Sequence, residues 1–424
     1  MRSWIVSFGL VVSVAAATVV DAADWTRFRG PDGAGLGTVP NLPLPLTEAS
    51  RLWCVKLPGT GHSSPVICGT RLFMTSCENA TAKRIVLALD AASGRTLWQR
   101  EFPSKIYQQN KDNSYASATP ACDAEGVVVG WTTPEEVLVV ALDNTGKEIW
   151  RRPLGPFVCN HGSGTSPIIV GDLVVLANDQ DDPQAMPEKK GKRGASKVAG
   201  KSYVIALDRK KGTTRWQLDR RSNQAAFATP CVRRTAEGTT EIICANTDNG
   251  LTGVEAATGK IVWSTATGFT KRCVCSPVLG AGLVITTAGT GGTGWECIAV
   301  RPGAKAEVAY SLQKPLPYVP SPLVLGDKLI LWGDNGQVAC LRAATGELIW
   351  REKVDGAFYS SPIALNGHVM NVSKTGDVFM LDAGEKFVMP TRFALGEKSF
   401  ATPAVAGDIL YIRTYTQLFA FGGK

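Results

Sequence analysis

Histidine is scarce in this chain, with three in 424 residues, and none of the eleven cysteines stands in a Cys-x-x-Cys motif. A lone imidazole such as His161 is not a metal site, and no metal centre is expected. Charged residues make up 19% and hydrophobic residues 44%. That balance excludes a disordered chain and permits a large core. The one dense glycine run, GTGGTG from Gly289, lacks the Lys-Ser/Thr ending and the following helix of a phosphate loop. HGSGTS around Ser163 lacks the strand-to-helix setting of a nucleophile elbow. No catalytic residue is assigned.

The chain opens with Arg2, an apolar run from Trp4 to Val20, and small residues around Ala22. This is the layout of a secretory signal peptide over 1–22, so the protein is expected to be exported, periplasmic or extracellular, with no stable membrane span after cleavage. The next cysteine is Cys54, so no lipid-anchored cysteine is expected at the cleavage site. Loss of 1–22 removes Arg2 and Asp21 together and leaves the net charge at +8. The densest basic run holds Lys189, Lys190, Lys192, Arg193, Lys197 and Lys201 among Gly, Ala and Ser, and reads as a solvated loop in an insertion over 179–201. No nucleic-acid partner is expected. Export allows disulfides, but eleven is an odd number and Cys273 and Cys275 fall on the same side of a strand. Cys231 and Cys244, placed about the turn TAEGT of a hairpin, are the candidate pair, and the other thiols read as small buried apolar groups.

What the chain has in abundance is repetition. ALDAASGRTLW from Ala88 returns as ALDNTGKEIW from Ala141, ALDRKKGTTRW from Ala206, VEAATGKIVW from Val254 and LRAATGELIW from Leu341. A second marker, a small or hydroxylic residue, Pro and a β-branched run, recurs at Pro65, Pro120, Pro167, Pro230, Pro277, Pro322, Pro362 and Pro403. From Pro65 to Pro403 the 338 residues form seven intervals of about 48, a period typical of propellers. Within one unit, alternation and turn residues mark four strands, which is one propeller blade. The acidic residue of the first marker is suited to bond turn amides, its glycine to adopt positive φ, and its tryptophan to fill the space between blades. The last unit lacks an outer strand, and RLWCVKL from Arg51 holds a Trp at the spacing from Pro65 that Trp350 has from Pro362. The expectation is an all-β, eight-bladed propeller over 51–424, closed by an N-terminal strand and preceded by a leader over 23–50.

These markers closely resemble the pyrroloquinoline quinone-like β-propeller repeat. DWTRFRGPDGAGLG from Asp24, HGSGTSPIIVGDLVVLANDQDD from His161 and PYVPSPLVLGDKLIL from Pro317 resemble segments of exported bacterial proteins of this type. Such proteins are similar to the outer-membrane protein assembly factor BamB. The resemblance implies a binding or scaffolding role in the cell envelope. It also raises the quinoprotein alcohol dehydrogenases, which clamp the quinone with adjacent cysteines and hold calcium with Glu, Asn and Asp. This chain has no Cys-Cys pair, so neither the quinone nor calcium is expected, although Asp179, Asp181 and Asp182 lie together.

Strand order puts the loop before each proline and the loop after each second strand on one face. The extended entry loops 103–118 and 154–164 and the long segment 179–201 all fall there, and long loops on a rigid scaffold carry binding function. Tyr115, His161, Phe227, Arg272, Tyr318, Phe358 and Phe400 stand a few residues ahead of a repeat proline on this face. They are the candidate lining of a funnel suited to a peptide, a glycan, an envelope protein or a small anion, and their alternative use is to plug the ring. His62 and His368 are given no role. The two functional readings are a non-enzymatic binding or scaffolding module and an enzyme, quinoprotein-like or uncharacterised, working on the same face.

Overall fold

The computed structural model describes residues 24–159, 161–182 and 200–423. The expected signal peptide over 1–22 and the insertion's Lys189, Lys190, Lys192, Arg193 and Lys197 lie outside the described residues.

Eight sheets of antiparallel strands follow one another around a ring. Blade 1 is built from Val66–Cys68, Arg71–Glu78, Lys83–Asp90 and Thr96–Phe102, innermost strand first. Blades 2 to 7 repeat the order over 121–153, 168–220, 231–264, 278–316, 323–353 and 363–394. Blade 8 takes Ala404–Ala406, Ile409–Arg413 and Gln417–Phe421 from the end of the chain. Its outer strand is Arg51–Lys56, antiparallel to Gln417–Phe421, which closes the ring as expected.

The core lies in the layers between sheets. Between blades 1 and 2, for example, Phe73, Val86 and Phe102 meet Val127, Val129 and Val140. Alternation dictates this, since each central strand presents apolar side chains to both neighbouring blades. The repeated Asp-Thr-Gly-Trp marker is a docking device. Asp143 accepts N–H bonds from Thr145 (2.8 Å) and Lys147 (3.0 Å) within its own turn. The Trp150 indole donates to the Arg209 carbonyl of the next blade at 2.9 Å. Gly212, at φ 67°, lies under that ring, where a Cβ would come within 2.6 Å of it. The same indole-to-carbonyl bond links Trp98 to Asn144 (2.9 Å) and Trp216 to Ala256 (2.8 Å). In blade 5 a tyrosine replaces it, with the Tyr310 hydroxyl donating to Ala343 at 2.9 Å.

A second device surrounds the channel. The Ser or Thr before a repeat proline accepts, through its hydroxyl, the N–H of the equivalent residue in the preceding blade. The bonds run from Ser64 to Thr119 and Thr119 to Ser166, then from Thr229 to Ser276, Ser321, Ser361, Thr402 and back to Ser64, at 2.9–3.0 Å. Extended backbone is what a residue before proline prefers, and here it aims each N–H sideways at its neighbour. The junction of blades 3 and 4 is tied by Asp181, which accepts the Ala225 N–H at 2.7 Å.

The leader crosses the channel from the face of the Thr-Gly turns. Trp25 exchanges backbone bonds with Ile67 of blade 1 at 3.0 and 2.9 Å, and Thr26 accepts from Cys122 of blade 2 at 2.8 Å. Arg27 donates to the Pro230 carbonyl of blade 4, and Arg29 to that of Pro362 in blade 7 at 3.2 Å. Leu36–Gly37 then runs parallel to the inner strand of blade 7. Trp25, Arg27 and Arg29 are all buried.

The expected Cys231–Cys244 bond is corrected here. Cys231 is paired with Ile243, so Cys244 is one residue out of register and faces the other side of the sheet. Cys231 packs with Ala226 and Trp263 on one side, Cys244 with Val175 and Ile242 on the other, and both are free thiols.

Candidate functional site

The structure divides the expected lining residues into three groups around the funnel. In the first, Arg272 is 6% exposed and holds the group together. Its guanidinium is 2.9 Å from His161 Nδ1, 3.3 Å from Asp181 Oδ1, and 5.6 Å from the centre of the Phe227 ring. Guanidinium only donates, so His161 Nδ1 is the acceptor and the ring proton sits on Nε2. Burial and the Arg272 charge both lower the His161 pKa, which keeps the ring neutral. Tyr318 borders the same cation, and burial raises the pKa of its hydroxyl. Its backbone N–H donates to Asp334 at 2.7 Å, and burial pushes that carboxyl up to about 6.

The second group lies across blades 1, 7 and 8. The His62 ring stacks on Phe400 with centroids 4.4 Å apart, and Tyr359 meets Phe400 edge-on at 5.8 Å. Lys374 lies 4.1 Å from the Tyr359 ring centre, and Lys398 lies 3.8 Å from that of Tyr415. Burial, with the nearby Arg413 and Lys398, pushes the His62 pKa down to about 3. The third group is Tyr115, which sits apart from both, beside Arg84 and Trp131 in the seam of blades 1 and 2.

The long loop 103–119 connects the first two groups over the funnel. On one side the Asn110 N–H and the Asn113 side-chain amide donate to the His161 carbonyl at 3.1 and 2.7 Å. On the other, Asp112 Oδ2 accepts from Tyr359 and from Lys374, both at 3.1 Å.

Phe358 is the correction among the expected lining residues. It is fully buried, stacked edge-on against Trp332 and Phe379 in the layer between blades 6 and 7. Its neighbour Tyr359 reaches the funnel instead. The missed signal was positional: His62, Phe227, Tyr359 and Phe400 each stand three residues before a repeat proline. Short loops of equal length leading into equal strands present that position alike. His62, Tyr359, Lys374 and Asp181 thus join the site, and Phe358 leaves it.

The model of the family described as outer membrane protein assembly factor BamB matches residues 82–304 and 280–421. A curated relative of that same description, from Burkholderia pseudomallei (strain K96243), is 29% identical over 106 residues, 24% of this chain and 27% of that protein. The matched stretch is therefore about a quarter of the relative's length. Among solved structures, BamB from Moraxella catarrhalis aligns with TM-score 0.61 at 15% identity, over 88% of this chain and 97% of that one. A europium-containing methanol dehydrogenase aligns with TM-score 0.56 at 11% identity, over 85% and 90%. The quinohemoprotein alcohol dehydrogenase from Comamonas testosteroni aligns with TM-score 0.53 at 13% identity, over 96% and 82%. At such identities the structural likeness is one of fold.

Proposed function

The chain belongs to the family described as outer membrane protein assembly factor BamB, and from that premise we propose that it is an exported, non-enzymatic propeller that holds a polypeptide segment of an envelope protein on its funnel face. One observation carries the reading: aromatic rings and cations converge on this face, at Phe227, Arg272 and Tyr318 and again at His62, Tyr359, Phe400 and Lys374. Such rings provide rigid contact area at small entropic cost, and the cations attract carboxylates or peptide carbonyls. The opposite face is occupied by the chain's own leader. The test is site-specific photocrosslinking in cells, with the reactive residue at Tyr318 or, as control, at Thr145 in a Thr-Gly turn. Adducts to envelope proteins from position 318 and none from 145 are expected; equal or absent labelling at both overturns the reading.

The quinoprotein reading meets a donor set that does not fit it. Asp179 faces Arg220 at 3.7 Å and accepts from Asn246 at 2.7 Å, while Asp181 faces Arg272 and the Ala225 N–H. A calcium ion would have to displace these cations, and no adjacent thiols exist to clamp a quinone. Thermal unfolding with pyrroloquinoline quinone and calcium should therefore show no shift. A ligand held by the folded state at 100 times its Kd would add about 2.7 kcal/mol, readily visible.

A further inference from the structure

Thiols are numerous in this ring, and several have oxygen partners. Cys275 accepts from the Thr287 hydroxyl at 2.7 Å and donates to the Pro320 carbonyl at 3.0 Å. Cys77 donates to Asn79 Oδ1 at 3.4 Å, and the exposed Cys54 to Gln417 Oε1 at 3.3 Å. Cys122 differs, because its side chain is hydrogen-bonded to another thiol, that of Cys68. The two residues lie on the inner strands of neighbouring blades, Val66–Cys68 and Ala121–Asp123. Alternation explains how they meet. Ile67 packs with Val405 and Leu410 of blade 8, whereas Val66 and Cys68 face blade 2 and pack in the same layer as Cys122. Cys68 stands three residues past Pro65 and Cys122 two past Pro120. Equivalent positions would point the same way round the ring, so the offset of one residue turns the two thiols toward each other.

The leader holds the backbone on both sides of this pair. Asp24 Oδ1 accepts the Gly69 N–H at 2.8 Å, and the Thr26 carbonyl accepts the Cys122 N–H at 2.8 Å. Access is unequal, with Cys68 half-buried and Cys122 1% exposed. Burial also holds the Cys122 thiol well above its ordinary range, so Cys68 is the thiol that reacts first with an outside partner. We propose that Cys68 and Cys122 form a reversible disulfide that staples blades 1 and 2 beneath the leader. The oxidant is an external disulfide. The Cys68 thiolate attacks one of its sulfurs and releases the first external thiol; Cys122 then loses its proton and attacks the Cys68 sulfur, releasing the second. Two protein thiols and one external disulfide thus become one protein disulfide and two external thiols, with no other electron acceptor. Compartments that receive exported proteins supply such oxidants. The test supplies the oxidant directly, so its result does not depend on export or on what occupies the funnel.

The test is peptide mapping of the whole mature protein after reduction, incubation with oxidised glutathione, denaturation, alkylation without reductant and digestion with trypsin. Cys68 and Cys122 are the only cysteines of the tryptic peptides 57–71 and 112–147. These two peptides should appear joined in one species that reductant separates. The oxidised protein should also unfold at a higher urea midpoint than the reduced one, because the link constrains the unfolded chain. Cys68→Ser, at a half-buried position, should abolish both the joined species and the midpoint difference. In Cys122→Ser the first step has no second, so Cys68 should retain one glutathione. The mapping is read on the wild type and therefore stands even where Cys122→Ser fails to fold. Cys68 and Cys122 recovered in separate peptides, or either joined to a third cysteine, overturns the pairing. Joined peptides with an unchanged midpoint overturn the staple. Crosslinking from Tyr318 is independent of these results, so failure here leaves the funnel reading intact.

Discussion

The two ends of the channel are built from the same inner strands and put to opposite uses. At the leader end, buried side chains of 24–37 reach the inner strands of blades 1, 2, 4 and 7, and backbone bonds make most of the contact. At the funnel end, half-buried rings and cations meet one another across loops, and side chains make most of the contact. Backbone bonds need one geometry, whereas stacked rings and ion pairs tolerate several. The leader end should therefore fail by unfolding and the funnel end by losing selectivity.

The largest expected effect is at the leader. Trp25→Ala empties a buried site against the blade 1 inner strand and should cost about 3–5 kcal/mol, read as a lower midpoint in chemical denaturation. A loss below 1 kcal/mol would make the leader an ornament and dissolve the contrast between the ends.

The funnel end should respond to pH. The native His62 pKa is depressed to about 3, so the unfolded chain takes up a proton below its ordinary value near 6.5 while the native ring does not. The stability is present above that value and is lost as pH falls toward 3, at up to about 1.4 kcal/mol per pH unit. His62→Phe keeps a ring to stack on Phe400 and should gain on the wild type between about pH 6.5 and pH 4 in paired thermal melts. Parallel melting curves would contradict this.

The hydroxyl-to-amide bonds link successive blades around the channel. Ser276→Ala leaves the buried Thr229 N–H without its acceptor and should cost about 1–3 kcal/mol by denaturant titration. Changing the crossing loop should cost least. Asp112→Asn weakens a partly exposed pair with Lys374, so stability should fall by less than about 1 kcal/mol. Amides of 103–119 should nevertheless exchange hydrogen faster while those of the leader do not change. Uniform exchange would show that the ends are coupled.

Much of the ring was legible locally. Asp143, Gly212 and Trp150 act through turns and neighbours at fixed spacing, so repetition alone exposes their roles. Repetition also reveals the missing outer strand that Arg51–Lys56 supplies. The Cys231–Cys244 assignment failed by one residue because hairpin register depends on how the turn closes, and period-two alternation converts a one-residue error into the opposite face. Phe358 failed for the same reason, since it and Tyr359 differ only in which way the loop is turned. Asp181 was legible as a carboxylate but not as the partner of Arg272, 91 residues away.

The sequence by itself determined the number of blades, their strand order, the closure and the face that carries the long loops, because each depends on patterns within a repeat or between adjacent repeats. Only the tertiary structure decided that the leader crosses the channel and that loop 103–119 bridges His161 to Lys374. Those facts depend on ring closure, which brings together residues from distant blades that share no repeat position and no local pattern.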